Sequence, residues 1–364
     1  FYTDVTAARA PSELFAAHDI IAFDYDGDLD LDVAFSGIGQ PGKRGSLWIN
    51  DGTGRFTVSP ILDDLCGTQS YEVDWSDLDG DGDWDGAVQG ILGFDEGWAE
   101  NRGLGAAPPE TVFSGGNGDD DNELATMDYD MDGDMDVFVG SLGANVEKVY
   151  RQNAAGVFER VNIFSQITDS TLDFAFADFD GNGTADVVTA QGESGLQINR
   201  IYDNTGPADS LPPRVLRVES PAAVGDDGTV FRIAVQDDWV DDGITSATAS
   251  FTYELFVNGV PVGFGGGAAT FMGGAMFRAE VPTTLGIEGA RVIWQVVDLA
   301  GNAADPVVVA VGNLGDDVWE ELGSGLAGTG GLEPTLAGNG PLAPGSAYVL
   351  ELSDSLPGAC ATFV

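Results

Sequence analysis

Asp77-Leu78-Asp79-Gly80-Asp81-Gly82-Asp83-Trp84-Asp85 sets a carboxylate at every second position of a nine-residue stretch. Three more copies follow the same template. They are Asp24-Tyr25-Asp26-Gly27-Asp28-Leu29-Asp30-Leu31-Asp32, Asp128-Tyr129-Asp130-Met131-Asp132-Gly133-Asp134-Met135-Asp136 and Asp178-Phe179-Asp180-Gly181-Asn182-Gly183-Thr184-Ala185-Asp186. The first positions, 24, 77, 128 and 178, are separated by 53, 51 and 50 residues. A hydrophobic run follows each copy, and a period of this length points to a radial or stacked repeat.

The chemistry of the loop follows from its oxygens. Calcium takes about six to eight hard oxygen ligands in a flexible shell. Side chains at positions 1, 3 and 5 of a tight loop converge, position 7 can add a carbonyl, and a carboxylate at position 9 closes the set. The candidate ligands are therefore Asp24, Asp26, Asp28, Asp30 and Asp32; Asp77, Asp79, Asp81, Asp83 and Asp85; Asp128, Asp130, Asp132, Asp134 and Asp136; and Asp178, Asp180, Asn182, Thr184 and Asp186. Glycine at position 6 (Gly82, Gly133, Gly183) suits a sharp turn. The loops hold no Cys or His, which argues against a soft-metal site. One such loop can be a solvated turn. Four in register would each crowd like charges together, and a cation per loop, about four Ca²⁺ in all, relieves that repulsion. In the first copy Leu29 stands at position 6 and Gly27 comes two residues early. Asp24 is kept as position 1, because Asp32-Val33-Ala34-Phe35 then aligns with Asp136-Val137-Phe138-Val139.

These loops resemble the FG-GAP/VCBS repeat family of extracellular calcium-loop β-propellers. The likeness extends to a hairpin after each loop, as in Leu47-Trp48-Ile49-Asn50-Asp51-Gly52-Thr53-Gly54-Arg55-Phe56, with looser versions at Val149–Phe158 and Ile201–Gly206. It covers residues 1–206 and implies calcium and a propeller, without implying one activity. The fourth copy stops at Asn204-Thr205-Gly206, lacking a strand like Phe56-Thr57-Val58. The opening Phe1-Tyr2-Thr3-Asp4-Val5-Thr6 resembles that piece, so the expectation is a four-bladed propeller whose last blade is completed by the N-terminus. Five residues before each loop stand Asp19, Glu72, Glu123 and Asp173, which on innermost strands would ring one mouth of the channel, or simply mark solvated strand starts.

Composition narrows the setting. Sixty acidic against 14 basic residues give a formal charge of -46 over 364 residues, and lysine occurs only at Lys43 and Lys148. Such a polyanion does not bind nucleic acid or anionic lipid by charge. Apolar residues make up 43%, enough for packed cores. No apolar run is long enough for a membrane helix, so membrane insertion is not expected. The chain reads as a mature secreted form, and weak calcium loops suit the calcium levels outside cells. Cys66 and Cys360 can pair within the chain, pair between molecules, or remain free thiols. Asn182-Gly183-Thr184 is a formal sequon on a candidate ligand and is discounted.

Beyond the Pro207–Pro213 linker, runs at Arg214–Val218, Thr229–Val235, Ser250–Val257, Arg291–Val297 and Pro306–Val311 read as an antiparallel sandwich over 207–312. Val297-Asp298-Leu299-Ala300-Gly301-Asn302 looks like the Asp-x-x-Gly-Asn turn of bacterial Ig-like domains. Asp237, Asp238, Asp241, Asp242 and Asp298 are read as turn acidity rather than as another calcium site. Gly263–Gly274 reads as a flexible loop or close hairpin. Residues 313–364, rich in Gly and Leu, are expected to pack on the sandwich or on a neighbouring subunit. The all-β chain lacks G-x-S-x-G and has one histidine, His18, so a non-enzymatic extracellular structural or adhesion protein is expected. Its partner would be an extracellular protein, a glycan, or further copies of itself forming filaments. The alternative is a polysaccharide-binding or polysaccharide-degrading protein, with Trp48, Trp75, Trp84 or Trp98 as sugar platforms.

Overall fold

The computed structural model describes residues 1–12, 16–37, 45–59, 71–88, 96–104, 110–113, 120–142, 146–154, 156–192, 195–241 and 244–315, together with two short strands near the C-terminus. The chain is all-β apart from one helical turn, α1 (Thr6–Arg9). Its first half forms four antiparallel sheets in chain order. The first holds β1 (Ala17–Phe23), β2 (Asp32–Gly37), β3 (Gly45–Asn50) and β4 (Phe56–Ser59), hydrogen-bonded in that sequence. The second holds β5 (Val73–Ser76), β6 (Asp85–Val88), β7 (Gly97–Ala99) and β8 (Glu110–Val112). The third is built from β9 (Asp121–Met127), β10 (Asp136–Ser141), β11 (Lys148–Ala154) and β12 (Val157–Val161), and the fourth from β13 (Thr171–Ala177), β14 (Asp186–Gln191) and β15 (Arg200–Tyr202).

In each sheet the acidic loop is the tight connection between the first two strands. The ladder ends where the loop begins: Phe23 pairs with Asp32, Ser76 with Asp85, Met127 with Asp136 and Ala177 with Asp186. The first strands of successive sheets touch, β1 to β5, β5 to β9 and β9 to β13. Aromatic side chains fill the spaces between sheets. Phe23 stacks on Trp75 with ring centroids 4.4 Å apart, Phe113 on Tyr150 at 4.6 Å, and Phe138 meets Phe174 and Phe176 edge-on. Polar bridges reinforce this order, since Asp74 on β5 accepts both the amide and the hydroxyl of Thr126 on β9.

The described residues do not show a closed ring. The expected N-terminal strand is not formed: residues 1–5 pair with no strand, Phe1 and Tyr2 are fully exposed, and Thr6–Arg9 turn as α1. The reason is local. Asp4 accepts the Thr6 amide at 2.9 Å and Arg55 donates to the Ala8 carbonyl at 3.0 Å, which fixes the segment beside the first sheet and leaves the fourth with three strands.

The second half contains two four-stranded sheets around one core. One runs β16 (Arg214–Val218), β17 (Asp227–Gln236), β23 (Met276–Thr284) and β22 (Thr270–Gly273). The other runs β21 (Val260–Ala268), β20 (Thr248–Val257), β24 (Gly289–Val297) and β25 (Val307–Gly312). Phe231, Ile233, Val281, Val292 and Trp294 alternate inward and share one apolar cluster. The glycine-rich 263–274 segment is not a flexible loop. It supplies β21 and β22, one to each sheet, and Gly265 is kept bare by the Tyr253 ring, whose hydroxyl lies 2.5 Å from where a Cβ would sit.

The boundary expected at 206/207 is not a clean one. β18 (Trp239–Asp241) and β19 (Ile244–Thr245) leave the second half as a hairpin, and β18 pairs with β9 through Trp239–Met127 and Val240–Thr126. This extends the third sheet to six strands. Cys66 and Cys360 lie outside the described residues. Of 313–364, what is described beyond residue 315 is β26 (Thr335–Asn339) paired with β27 (Val349–Ser353), so what that segment packs against is outside the description.

Candidate metal centre

The backbone of each loop is fixed by two left-handed residues, at positions 4 and 6. They are Gly27 and Leu29, Gly80 and Gly82, Met131 and Gly133, and Gly181 and Gly183, with φ between 55° and 96°. Loop one therefore has the register that begins at Asp24, and Leu29 adopts the conformation that glycine takes elsewhere. Each position-1 aspartate anchors this turn by accepting backbone amides. Asp77, for example, takes Gly80 N at 2.8 Å and Gly82 N at 3.1 Å, and Asp178 takes Gly181 N at 2.7 Å and Gly183 N at 3.0 Å.

Four carboxylate clusters result. Asp24, Asp26 and Asp32 bring one oxygen each within 4.8 Å of one another, as do Asp77, Asp79 and Asp85, Asp128, Asp130 and Asp136, and Asp178, Asp180 and Asp186. Positions 1, 3 and 9 thus converge. The ligand sets expected from the sequence also take in positions 5 and 7 of the same loops, Asp28, Asp30, Asp81, Asp83, Asp132, Asp134, Asn182 and Thr184. Position 5 also turns back on the loop. Asp28, Asp81, Asp132 and Asn182 accept the amide of position 7 at 2.9, 3.1, 3.2 and 2.8 Å, so they brace the turn.

Burial places the carboxyls of the first three clusters under electrostatic stress. It pushes Asp24 and Asp128 up to about 6, Asp32 to about 7, Asp85 to about 8 and Asp136 to about 9, with neighbouring carboxylates adding to the rise in each case. Oxygens Oδ1 of Asp26 and Asp130 are buried and accept no hydrogen bond. A set of hard anionic oxygens with such orphaned atoms fits a divalent, oxygen-preferring cation. Asp24, Asp26 and Asp32 and their counterparts would hold it, and it would supply positive charge to a turn that otherwise repels itself.

One recurring residue was not connected to the loops by sequence reasoning. Asn50, Asn101, Gln152 and Asn204 follow the position-9 aspartates by 18, 16, 16 and 18 residues. Their backbone amides donate to those aspartates at 2.7, 2.8, 2.7 and 2.8 Å. Asn101 Nδ2 also reaches the Tyr25 carbonyl at 3.0 Å and Asn204 Nδ2 the Tyr129 carbonyl at 3.1 Å, each tying a loop to the loop of the preceding sheet. The signal available was an Asn or Gln within or just after the third strand; its variable spacing hid the link.

Over loops one to three the loop side of the first half is covered rather than open, while Asp178 and Asp180 of loop four are exposed. Arg214 pairs with Asp77 at 2.5 Å, and Gln236 Oε1 accepts the Asp77 amide at 2.7 Å. Arg217 lies over Gly27, Arg232 stands 3.8 Å from Asp30, and the Asp238 carbonyl accepts the Asp128 amide at 2.7 Å. Leu29 is buried against Ala234 and Met276 of the second half. Of the acidic residues before the loops, Glu72 is driven upward by burial and by Glu123, with Asp19 adding to it, so these three approach one another. Asp173 is exposed on β13. Trp75, Trp84 and Trp98 are buried in the shared core and offer no sugar platform.

With this geometry in place, comparison with protein families is informative. Residues 128–189 match the model of the FG-GAP-like repeat. The match starts at the first ligand of loop three and runs through loop four into β14. A comparison with the curated proteins gave no match. The FG-GAP-like stretch is the segment in which two loops, their Gln152 brace and the Phe138–Phe176 contact occur together. Loops one and two share the same cluster geometry outside it. No helix among the described residues is long and apolar enough to cross a membrane.

Proposed function

We propose that the chain is a secreted, calcium-rigidified structural or adhesion protein whose four loop-bearing sheets are blades of a propeller, joined to an Ig-like sandwich. The observation that carries this reading is the fourfold recurrence of one carboxylate cluster at the same point of four successive sheets. Calcium suits the oxygen-only donor set and the irregular shell better than magnesium, which prefers a compact octahedron. The cover that β16–β17 gives loops one and two favours a structural role over a catalytic one there. A catalytic cation keeps an open position for substrate.

Assembly with further copies of the chain is the partner reading with a specific observation behind it. The fourth sheet ends at β15, where Ile198 and Ile201 are exposed, while its counterparts have a fourth strand. Phe1-Tyr2-Thr3-Asp4-Val5, exposed and similar in pattern to Phe56-Thr57-Val58, is the segment that could add there from a second molecule.

Two measurements test the proposal. Calorimetry in calcium and in chelator reads the structural role, and light scattering across a concentration series reads assembly. Growth in particle mass with concentration in calcium, lost when residues 1–5 are removed, supports assembly. A monomer at every concentration contradicts it. Release of sugars from acidic polysaccharides would replace the non-enzymatic reading with the enzymatic one.

A further inference from the structure

A second group of carboxylates lies where the two halves meet, outside all four loops. Asp209 belongs to the linker after the fourth sheet, and its amide donates to the Gly183 carbonyl of loop four at 2.7 Å. Asp237 follows β17 and Asp298 follows β24. Asp298 Oδ1 accepts two amides of its own turn, Gly301 at 2.5 Å and Asn302 at 2.7 Å. Its other oxygen is buried and meets no donor among the described residues, in a residue only 6% exposed. That oxygen's side chain faces Asp209, with the two carboxylates within hydrogen-bonding reach of each other. Asp209 is itself held by Asn302 Nδ2 at 2.9 Å, and Asp237 by the Ser246 hydroxyl at 2.7 Å.

Asp298 and Asp209 thus stand side by side, each held by neutral donors, with Asp237 near enough for their charges to act on it. The charged neighbours that act on Asp237 are Asp298 and Asp209, both of the same sign. Asp237 and Asp298 are both buried, at 7% and 6% exposure. Turn acidity in contact with solvent does not produce such an arrangement. An uncompensated buried carboxylate is costly, and either a shared proton or a cation must relieve it.

We propose that Asp298, Asp209 and Asp237 form a fifth divalent-cation site that fastens the second half to loop four. Unlike the loop clusters, these oxygens do not all lie within 4.8 Å of one another. Asp298 and Asp209 ligate directly, and Asp237 acts through a bound water or after a small inward movement. The site differs in purpose from the loops: each loop stabilises a turn within one sheet, whereas this one joins three segments distant in sequence.

The test is a calcium count on the full chain, by elemental analysis after equilibrium dialysis, for wild type and Asp298→Asn. The asparagine keeps an oxygen for the Gly301 and Asn302 amides, so the turn persists. The wild type is expected to hold one more calcium than Asp298→Asn, with circular dichroism unchanged. Asp209→Asn, at a half-buried linker position, repeats the test should Asp298→Asn fail to fold. Because the readout is a difference, it stands whatever the loops themselves hold. Equal counts in wild type and both variants would assign the cluster to shared protons and overturn the site.

Discussion

Leu29 keeps a left-handed backbone, φ 63°, at a position where three sister loops use glycine. Strain of this kind costs about 1–3 kcal/mol. Its side chain offsets that cost by burial against Ala234 and Met276, where removing a leucine costs about 2–5 kcal/mol. The two substitutions therefore separate the effects. Leu29→Ala keeps the strain and loses the packing, so a loss of about 2–5 kcal/mol is expected. Leu29→Gly relieves the strain and should lose about 1–2 kcal/mol less, as read by urea denaturation. Equal losses would mean the backbone there is unstrained. Asp85 tests the ligand set. Both its oxygens accept backbone amides, from Leu78 at 3.0 Å and Asn101 at 2.8 Å, so Asp85→Asn turns a donor toward a donor. A loss of one bound calcium and about 1–3 kcal/mol is expected. At this scale the sequence made the carboxylates legible but not their division of labour. Alternation by two makes all five positions look alike, whereas positions 1, 3 and 9 are the ones that bring carboxylate oxygens within 4.8 Å of one another.

Between elements, the strongest single pin is Lys148 on β11. Its ammonium is fully buried and pairs with Glu96, ahead of β7, and with Asp121 on β9 at 2.7 Å. Tyr150 completes the group through its hydroxyl, 3.3 Å from Glu96. Replacing Lys148 by Met would leave two buried carboxylates facing each other, and a loss of about 3–5 kcal/mol is expected from chemical denaturation. The triple variant Lys148→Met, Glu96→Gln, Asp121→Asn should recover part of that loss; no recovery would contradict the ion-pair account. The sequence showed Lys148 only as one of two lysines, since its partners lie 52 and 27 positions away. The β18–β19 hairpin was equally hidden. Its strands are three and two residues long, and nothing local says that Trp239 pairs with Met127. The repeats were readable because each loop and its two strands are contiguous, whereas the joint depends on contacts from opposite halves of the chain.

For the whole molecule, the loops form the seam between halves, so metal, charge and domain order are coupled. Removal of metal exposes the raised carboxyls to titration. With folded values from about 6 to about 9 at Asp24, Asp32, Asp85, Asp128 and Asp136, against an ordinary 3.8, the native state holds more protons than the unfolded chain across that interval. The stability that these five carboxyls contribute to the metal-free protein is therefore fully present below about pH 4 and is lost progressively as pH rises toward about 9. Melting in chelator should fall steadily from about pH 5 to about pH 8, while calcium, which displaces those protons, should flatten or reverse the slope. Because β18 of the second half completes a sheet of the first, the two halves should unfold in one transition. The most direct test of the central claim is calorimetry at neutral pH with calcium and with chelator. Four sites, each filled at 100-fold over its dissociation constant, contribute about 11 kcal/mol. For a chain of 364 residues that corresponds to a fall in Tm of about 14 °C on chelation. A chelated protein melting at the same temperature as the calcium form would contradict the account.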